Sequence, residues 1–220
     1  MATNRFRGDA YAVAQQTTLT PAVVSIGSTF TVVIGNKSIT ATATAATVAN
    51  ACAVLLAALQ ASTASEFTEV TWTNETTLVR GTAVTAGVPF TLTPSTGGVG
   101  SPTLTQATPT ASSGPNDWST AANWSLGAIP VNADDVVLDA STVSIFYGLD
   151  QTAVTLTSLT RTASFSGQIG LPDYNASGGY FEYRSRYLAI KATTVTLGYG
   201  AGGGPSLERL NLSTAQSAVT

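Results

Sequence analysis

The chain has 220 residues and is nearly uncharged: Lys plus Arg total 9, Asp plus Glu total 12, and charged residues make up 10%, against roughly 25% in an average soluble domain. Two Lys and seven Arg cannot neutralise a long run of phosphates, which argues against a nucleic-acid partner. With no His and a single Cys, Ser-His and Cys-His nucleophiles, internal disulfides and multi-thiolate metal sites all fall away.

What remains is rich in Thr, Gly and small apolar residues, a composition shared by extracellular fibres, adhesins and virus particles. The longest apolar-looking run, Thr47 to Leu59, falls short of the roughly 20 residues a membrane span needs, so no membrane partner is expected. The opening Met-Ala-Thr-Asn-Arg-Phe-Arg has no apolar core of a secretion signal behind its charges. Residues 1–27 read as an extended N-terminal arm without periodic apolar pattern, ordered only against a partner. Arg5, Phe6, Arg7, Asp9 and Tyr11 are its candidate anchor residues. Arg7-Gly8-Asp9 matches an integrin-binding tripeptide, but three residues recur by chance, and a salt-bridged anchor is the preferred reading.

Residues 28–94 read as a small α+β domain in the order β-β-α-β-β. Phe30, Val32 and Ile34 alternate with polar or smaller residues, Gly35-Asn36-Lys37 turns, and Ile39 opens a second strand. Val48, Cys52, Leu55 and Leu59 then fall on one helical face with Thr47 as N-cap, which makes Cys52 a small buried hydrophobe. Phe67, Val70 and Trp72 mark a third strand, with further strand segments up to Leu92. A single antiparallel sheet carrying the helix on one face is the expected packing. Residues 95–115, with Gly97-Gly98, Gly100, Pro102, Pro109 and Ser112-Ser113-Gly114-Pro115, read as a linker with one short strand at Thr103–Thr105.

Residues 116–220 show short apolar bursts every ten residues or so, none long enough for a helix: Val136–Leu138, Val143–Ile145, Val154–Leu159, Ile169–Leu171, Leu188–Ile190, Val195–Leu197 and Leu207–Leu212. Two or three bursts per turn of a coil is how a right-handed parallel β-helix reads, and an antiparallel β-sandwich is the runner-up. The burst at Gln216–Thr220 carries no polar cap, which implies further coils or a covering partner.

Four groups are weighed for chemistry. Asp117, Asp134, Asp135 and Asp139 could hold calcium through carboxylate oxygens, but no twelve-residue loop pattern is present and turn capping is preferred. Trp118 and Trp124 are assigned to packing over the first coil. Asp173, Tyr174, Tyr180, Glu182, Tyr183, Arg184, Arg186 and Tyr187 form the one polar-aromatic cluster. It reads as an interface or glycan-contact loop, since Tyr and Arg favour interface centres; the catalytic alternative pairs Asp173 with Glu182 as acid and base. Gly200, Gly202, Gly203 and Gly204 lack the strand–helix context and the Lys of a phosphate loop and read as a side loop. Asn36, Asn74, Asn123, Asn175 and Asn211 open Asn-X-Ser/Thr patterns, as chance provides in so Thr-rich a chain. No catalytic residue, cofactor or metal site is assigned.

Two stretches carry a resemblance. Phe30-Thr31-Val32-Val33-Ile34-Gly35, the Ala-rich helix and Thr82 to Leu92 resemble a small domain of structural proteins in tailed bacteriophages and prophages. Asn116-Asp117-Trp118-Ser119, Asn123-Trp124-Ser125, Asp134 to Leu138 and Ile169-Gly170-Leu171-Pro172 resemble the opening of parallel β-helix proteins of phage particles and bacterial surfaces. The resemblance implies a virion structural protein that works by geometry: a capsid decoration or head-fibre protein, its N-terminal part holding other virion proteins and its β-helix projecting outward. The alternatives are a tail-associated fibre, a polysaccharide-binding or -degrading spike, and a bacterial surface adhesin. A homo-oligomer, with a trimer among its closed forms, fits fibre symmetry. Removal of residues 2–20 is expected to leave a folded protein that no longer joins the particle.

Overall fold

The computed structural model describes residues 2–198, 208–212 and 218–219. Gly200, Gly202, Gly203 and Gly204 lie outside the described residues, as do Gln216, Ser217 and Thr220 of the terminal burst. The chain is mainly β. Its strands and helices are β1 (Thr3–Phe6), β2 (Gln16–Ala22), β3 (Ser28–Ile34), β4 (Lys37–Thr42), α1 (Val48–Gln60), α2 (Ser65–Thr68), β5 (Val70–Asn74), β6 (Val79–Ala83), β7 (Leu92–Gly98) and β8 (Thr103–Thr110). These are followed by β9 (Asp135–Leu138), β10 (Asp150–Arg161), β11 (Tyr174–Asn175), β12 (Tyr180–Phe181), β13 (Leu188–Leu197), β14 (Leu210–Leu212) and β15 (Ala218–Val219). Contacts divide the chain into two compact units, 13–112 and the pair of segments 1–12 and 113–220.

The 13–112 unit differs from the expected 28–94 domain at both ends. The strand–strand–helix–strand–strand order is present, but its strands do not share one sheet. β3 lies between β4 and β7 in one antiparallel sheet, while a second antiparallel sheet runs β5-β6-β2-β8. The expected arm thus supplies β2, an inner strand, and the expected linker supplies β8 and most of β7. β2 carries no apolar alternation: its one large apolar residue is Leu19, and it buries Thr17, Thr18 and Pro21 alongside. Thr17 is fully buried, and its hydroxyl takes a hydrogen bond from Gln15 Nε2 (3.1 Å). The Gln15 amide also substitutes for a strand partner, donating to Phe90 O (2.7 Å) and accepting from Phe90 N (3.2 Å).

Helix α1 forms as its periodicity predicts. Thr47 is the N-cap and its Oγ1 accepts from Asn50 N, while Ala51, Cys52, Leu55 and Leu59 are the buried face. Burial raises the Cys52 thiol pKa, so it stays protonated and behaves as a small apolar side chain. Trp72 is a core residue whose indole N–H donates to Phe67 O (3.1 Å).

Among the described residues of the other unit the ladders are parallel, apart from the short antiparallel hairpin β11–β12 and an isolated antiparallel bridge between Phe6 and Trp124. The antiparallel sandwich, runner-up for residues 116–220, is therefore not the arrangement. β1 pairs with β9, β9 with Ser158–Arg161 of β10, those with Thr194–Leu197 of β13, and Thr194–Val195 with β15. A second ladder joins Asp150–Gln151, Ala189–Ile190 and Asn211–Leu212. A third consists of bridges Asp117–Tyr147, Ile145–Ile169 and Ile169–Glu208. Partners lie 22 to 24 residues apart at Asp135–Ser158, Ile145–Ile169, Ala189–Asn211 and Thr194–Ala218. The spacing widens to 36 at Ser158–Thr194 and 39 at Asp150–Ala189, where residues 172–187 are inserted.

Inward positions stack in register. Asn4, Val136, Leu159 and Val195 form one row, and Phe6, Leu138, Arg161 and Leu197 the next. The core these rows build contains Trp118, Trp124, Ile145, Phe165, Ile169 and Leu188. Arg161 is the polar exception in its row. Its buried guanidinium is neutralised by Glu208 (Nε to Oε1, 2.7 Å).

Candidate functional site

Two of the five expected anchor residues, Arg5 and Phe6, are occupied by the fold. Phe6 is buried in the core, its ring edge-to-face with Trp124 at 5.3 Å. Arg5 pairs with Asp139. Arg7 and Asp9 are exposed, and Tyr11 is 91% exposed. Gly8, between Arg7 and Asp9, sits at φ +76°, and a Cβ there would come within 2.7 Å of Val143. Close backbone approach to Val143 thus accounts for the glycine of the Arg-Gly-Asp tripeptide. An open cleft of about 420 Å³ is lined by Arg5, Phe6, Arg7, Asp9, Asp139 and Ser141.

The segment 123–128 closes the outer edge of β1. Ser125 N donates to Arg5 O (2.9 Å), Arg5 N to Ser125 Oγ (2.9 Å) and Arg7 N to Asn123 O (2.7 Å). Asn4, buried at the start of its row, donates to Ala128 O (2.8 Å) and accepts from Leu126 N (3.3 Å). Trp118 and Trp124 pack edge-to-face at 4.7 Å beneath this segment, with Trp124 Nε1 donating to Trp118 O (2.7 Å).

Asn123 is the centre of that cap, and the sequence marked it merely as a glycan acceptor pattern. Its side chain is fully buried. Oδ1 accepts from Ala10 N (2.9 Å), and Nδ2 donates to Gly114 O (2.8 Å) and Asp117 O (2.7 Å). A glycan cannot be attached to it in this fold.

The four carboxylates weighed for calcium are separately engaged. Asp117 Oδ1 accepts from Ser119 N, Asp134 Oδ2 from Val131 N, Asp135 Oδ1 from Ser158 Oγ, and Asp139 holds Arg5. Among the described residues no group of three or more His, Cys, Asp or Glu could hold a metal ion. Burial is the main cause of a raised pKa at Asp117, opposed by the Ser119 N–H. A folded-state pKa above the unfolded one means the folded state binds the extra proton, so stability falls as pH rises through that interval. Asp117→Asn should accordingly flatten the dependence of Tm on pH just above the ordinary carboxylate range. An unchanged slope in calorimetry would assign that dependence to other groups.

The inserted segment 172–187 is the most chemically distinct surface, with four of the chain's seven tyrosines. The β11–β12 hairpin brings Tyr174 and Phe181 edge-to-face at 5.3 Å. Tyr180 OH accepts from Asn175 Nδ2 (3.0 Å), and Tyr180 and Tyr183 lie 5.9 Å apart. Arg184 lies over the Tyr183 ring at 4.3 Å, and Arg186 lies 5.7 Å from that of Tyr187. Phe181 is 78% exposed, and Tyr174 and Tyr187 are about half exposed.

Asp173 and Glu182 are not assembled as a catalytic acid and base. The Glu182 side chain is 1% exposed, and its Oε1 accepts from Tyr183 N (3.1 Å), Arg184 N (2.9 Å) and Arg184 NH1 (3.1 Å). That oxygen staples the loop. Asp173 is exposed and pairs with Arg186 (2.6 Å) and Arg209 (3.7 Å). A hairpin with an exposed aromatic edge and internally paired charges is suited to contact.

No protein-family model matches the chain, and a search of curated proteins finds no match. Among the described residues no helix is long and apolar enough to cross a membrane.

Proposed function

We propose that the chain is a non-enzymatic structural component of a bacteriophage particle, a capsid decoration or head-fibre protein, in which residues 116–220 begin a right-handed parallel β-helix. The observation that carries this reading is the recurrence of parallel partners every 22 to 24 residues. Such a repeat lets each coil cover the apolar face of the last, and parallel crossovers are right-handed almost without exception. The engaged carboxylates of the inserted loop support a role without catalysis. The resemblance of the two sequence stretches supplies the virion assignment and its partners, the other virion proteins and further copies of this chain, with a trimer as one closed form.

Because Phe6 is internal, the exposed hairpin 174–181 and its neighbours Arg186 and Tyr187 are the contact surface in this reading. The same exposed aromatic edge favours, second, a tail-associated spike that binds polysaccharide. Purified particles should contain the protein at fixed copy number, as measured by quantitative mass spectrometry of gradient-banded virions. Its absence from every particle would refute the virion assignment. Phe181→Ser should leave Tm unchanged, within about 0.5 kcal/mol for an exposed site, while reducing incorporation or polysaccharide binding. A lowered Tm with contact intact would make the ring a packing residue.

A further inference from the structure

We infer that β8 is a self-association edge, pairing antiparallel with β8 of a second copy across a two-fold axis. β8 ends its four-stranded sheet and pairs with β2 alone among the described strands. Thr105 to Pro109 are exposed on both strand faces. An uncovered strand edge presents unpaired N–H and C=O groups, and proteins ordinarily guard it with charge, proline or a covering side chain.

The other edges of the 13–112 unit carry such guards. β4 begins with Lys37, and β7 has Pro94 at its third position. β5 is flanked by Glu69 and Glu75, and Gln60 Nε2 donates to its Trp72 O (3.1 Å). β8 is guarded by proline alone, since no charged residue occurs between Arg80 and Asp117. Its own guards lie towards the ends, Pro102 before the strand and Pro109 within it, next to a register shift between Ala107 and Thr110. They leave Thr103 to Ala107 as a regular, proline-free window.

The absence of charge favours a second copy as occupant. A two-fold axis normal to the sheet sets a residue opposite itself and preserves the faces. Centred on Thr105, it pairs Thr105 with Thr105, Leu104 with Gln106, and Thr103 with Ala107 of the other copy. No like charges meet, and hydroxyl pairs across strands are favourable. The two four-stranded sheets then join into one of eight. This inference does not depend on the virion assignment, and the three-fold form proposed above would need a different surface.

Light scattering coupled to size exclusion on the full chain tests it. The wild type should run at twice its 22.4 kDa mass at micromolar concentration and above. Thr105→Lys and Thr105→Glu, placing like charges across the axis, should each weaken the dimer by roughly 100-fold, and mixing the two should restore it. Thr105→Val, which keeps strand propensity, should remain dimeric, and circular dichroism should show all three variants folded. If either charged variant fails to fold, the double variant Thr103→Lys with Ala107→Lys, which sets Lys opposite Lys at both outer pairs, should likewise dissociate the dimer. A monomeric wild type, an oligomer indifferent both to Thr105→Lys and to the Thr103→Lys, Ala107→Lys double variant, or folded charged variants that do not recombine would each overturn the inference.

Discussion

A chain lacking residues 2–20 should fail to fold in either unit, giving insoluble protein or a species without a cooperative thermal transition. This reverses the expectation for a detachable arm, and the reason is strand order. β1 pairs in register with β9, and its Phe6 ring belongs to the core around Trp124. β2 lies between β6 and β8, with Leu19 fully buried. Removing an inner strand strands two neighbours' backbone groups at once. Point substitutions separate the two contributions. Phe6→Ala should cost about 3–5 kcal/mol and Leu19→Ala about 2–5 kcal/mol, each read as a lowered transition for the unit that holds it. A soluble truncated protein with native near-ultraviolet dichroism would show that neither strand is needed.

Asn123→Ala should be the most damaging single polar substitution, costing about 3 kcal/mol or more. The change leaves Ala10 N–H, Gly114 O and Asp117 O without the partner each has now, and a buried group left unsatisfied costs roughly 1–3 kcal/mol. Asn123→Asp should be no better, because a carboxylate has no donor for the two carbonyls. Chemical denaturation checks both. A loss below about 1 kcal/mol would mean that water replaces the amide. The substitution also tests the cap, since the same residue's carbonyl accepts from Arg7 N and so ties the segment before β2 to the segment after β8.

Legibility varied with the kind of signal. Helix α1 was readable because Cys52, Leu55 and Leu59 repeat at helical spacing behind a Thr cap, and β3 because Phe30, Val32 and Ile34 alternate. β2 was not, and of β8 only Thr103–Thr105 was, because Thr serves equally well on a wet or a buried strand face. The aromatic loop was legible from composition alone. Its internal wiring was not: Glu182 is nearest in sequence to the groups it binds, yet whether its carboxylate faces them or a ligand depends on backbone geometry. Asn123 was illegible as a hub because its three side-chain partners are backbone groups, which no side-chain pattern encodes.

The sequence by itself determined a nearly chargeless, Thr-rich, mainly β chain without histidine, because composition and local periodicity act through near neighbours. Tertiary structure alone decided which strands pair. It drew β1 across more than a hundred intervening residues to β9, divided one expected sheet into two, and left β8 paired on one side only among the described strands. Strand pairing is made by backbone groups common to every residue, so its partners are chosen by the whole fold rather than by any local stretch of sequence.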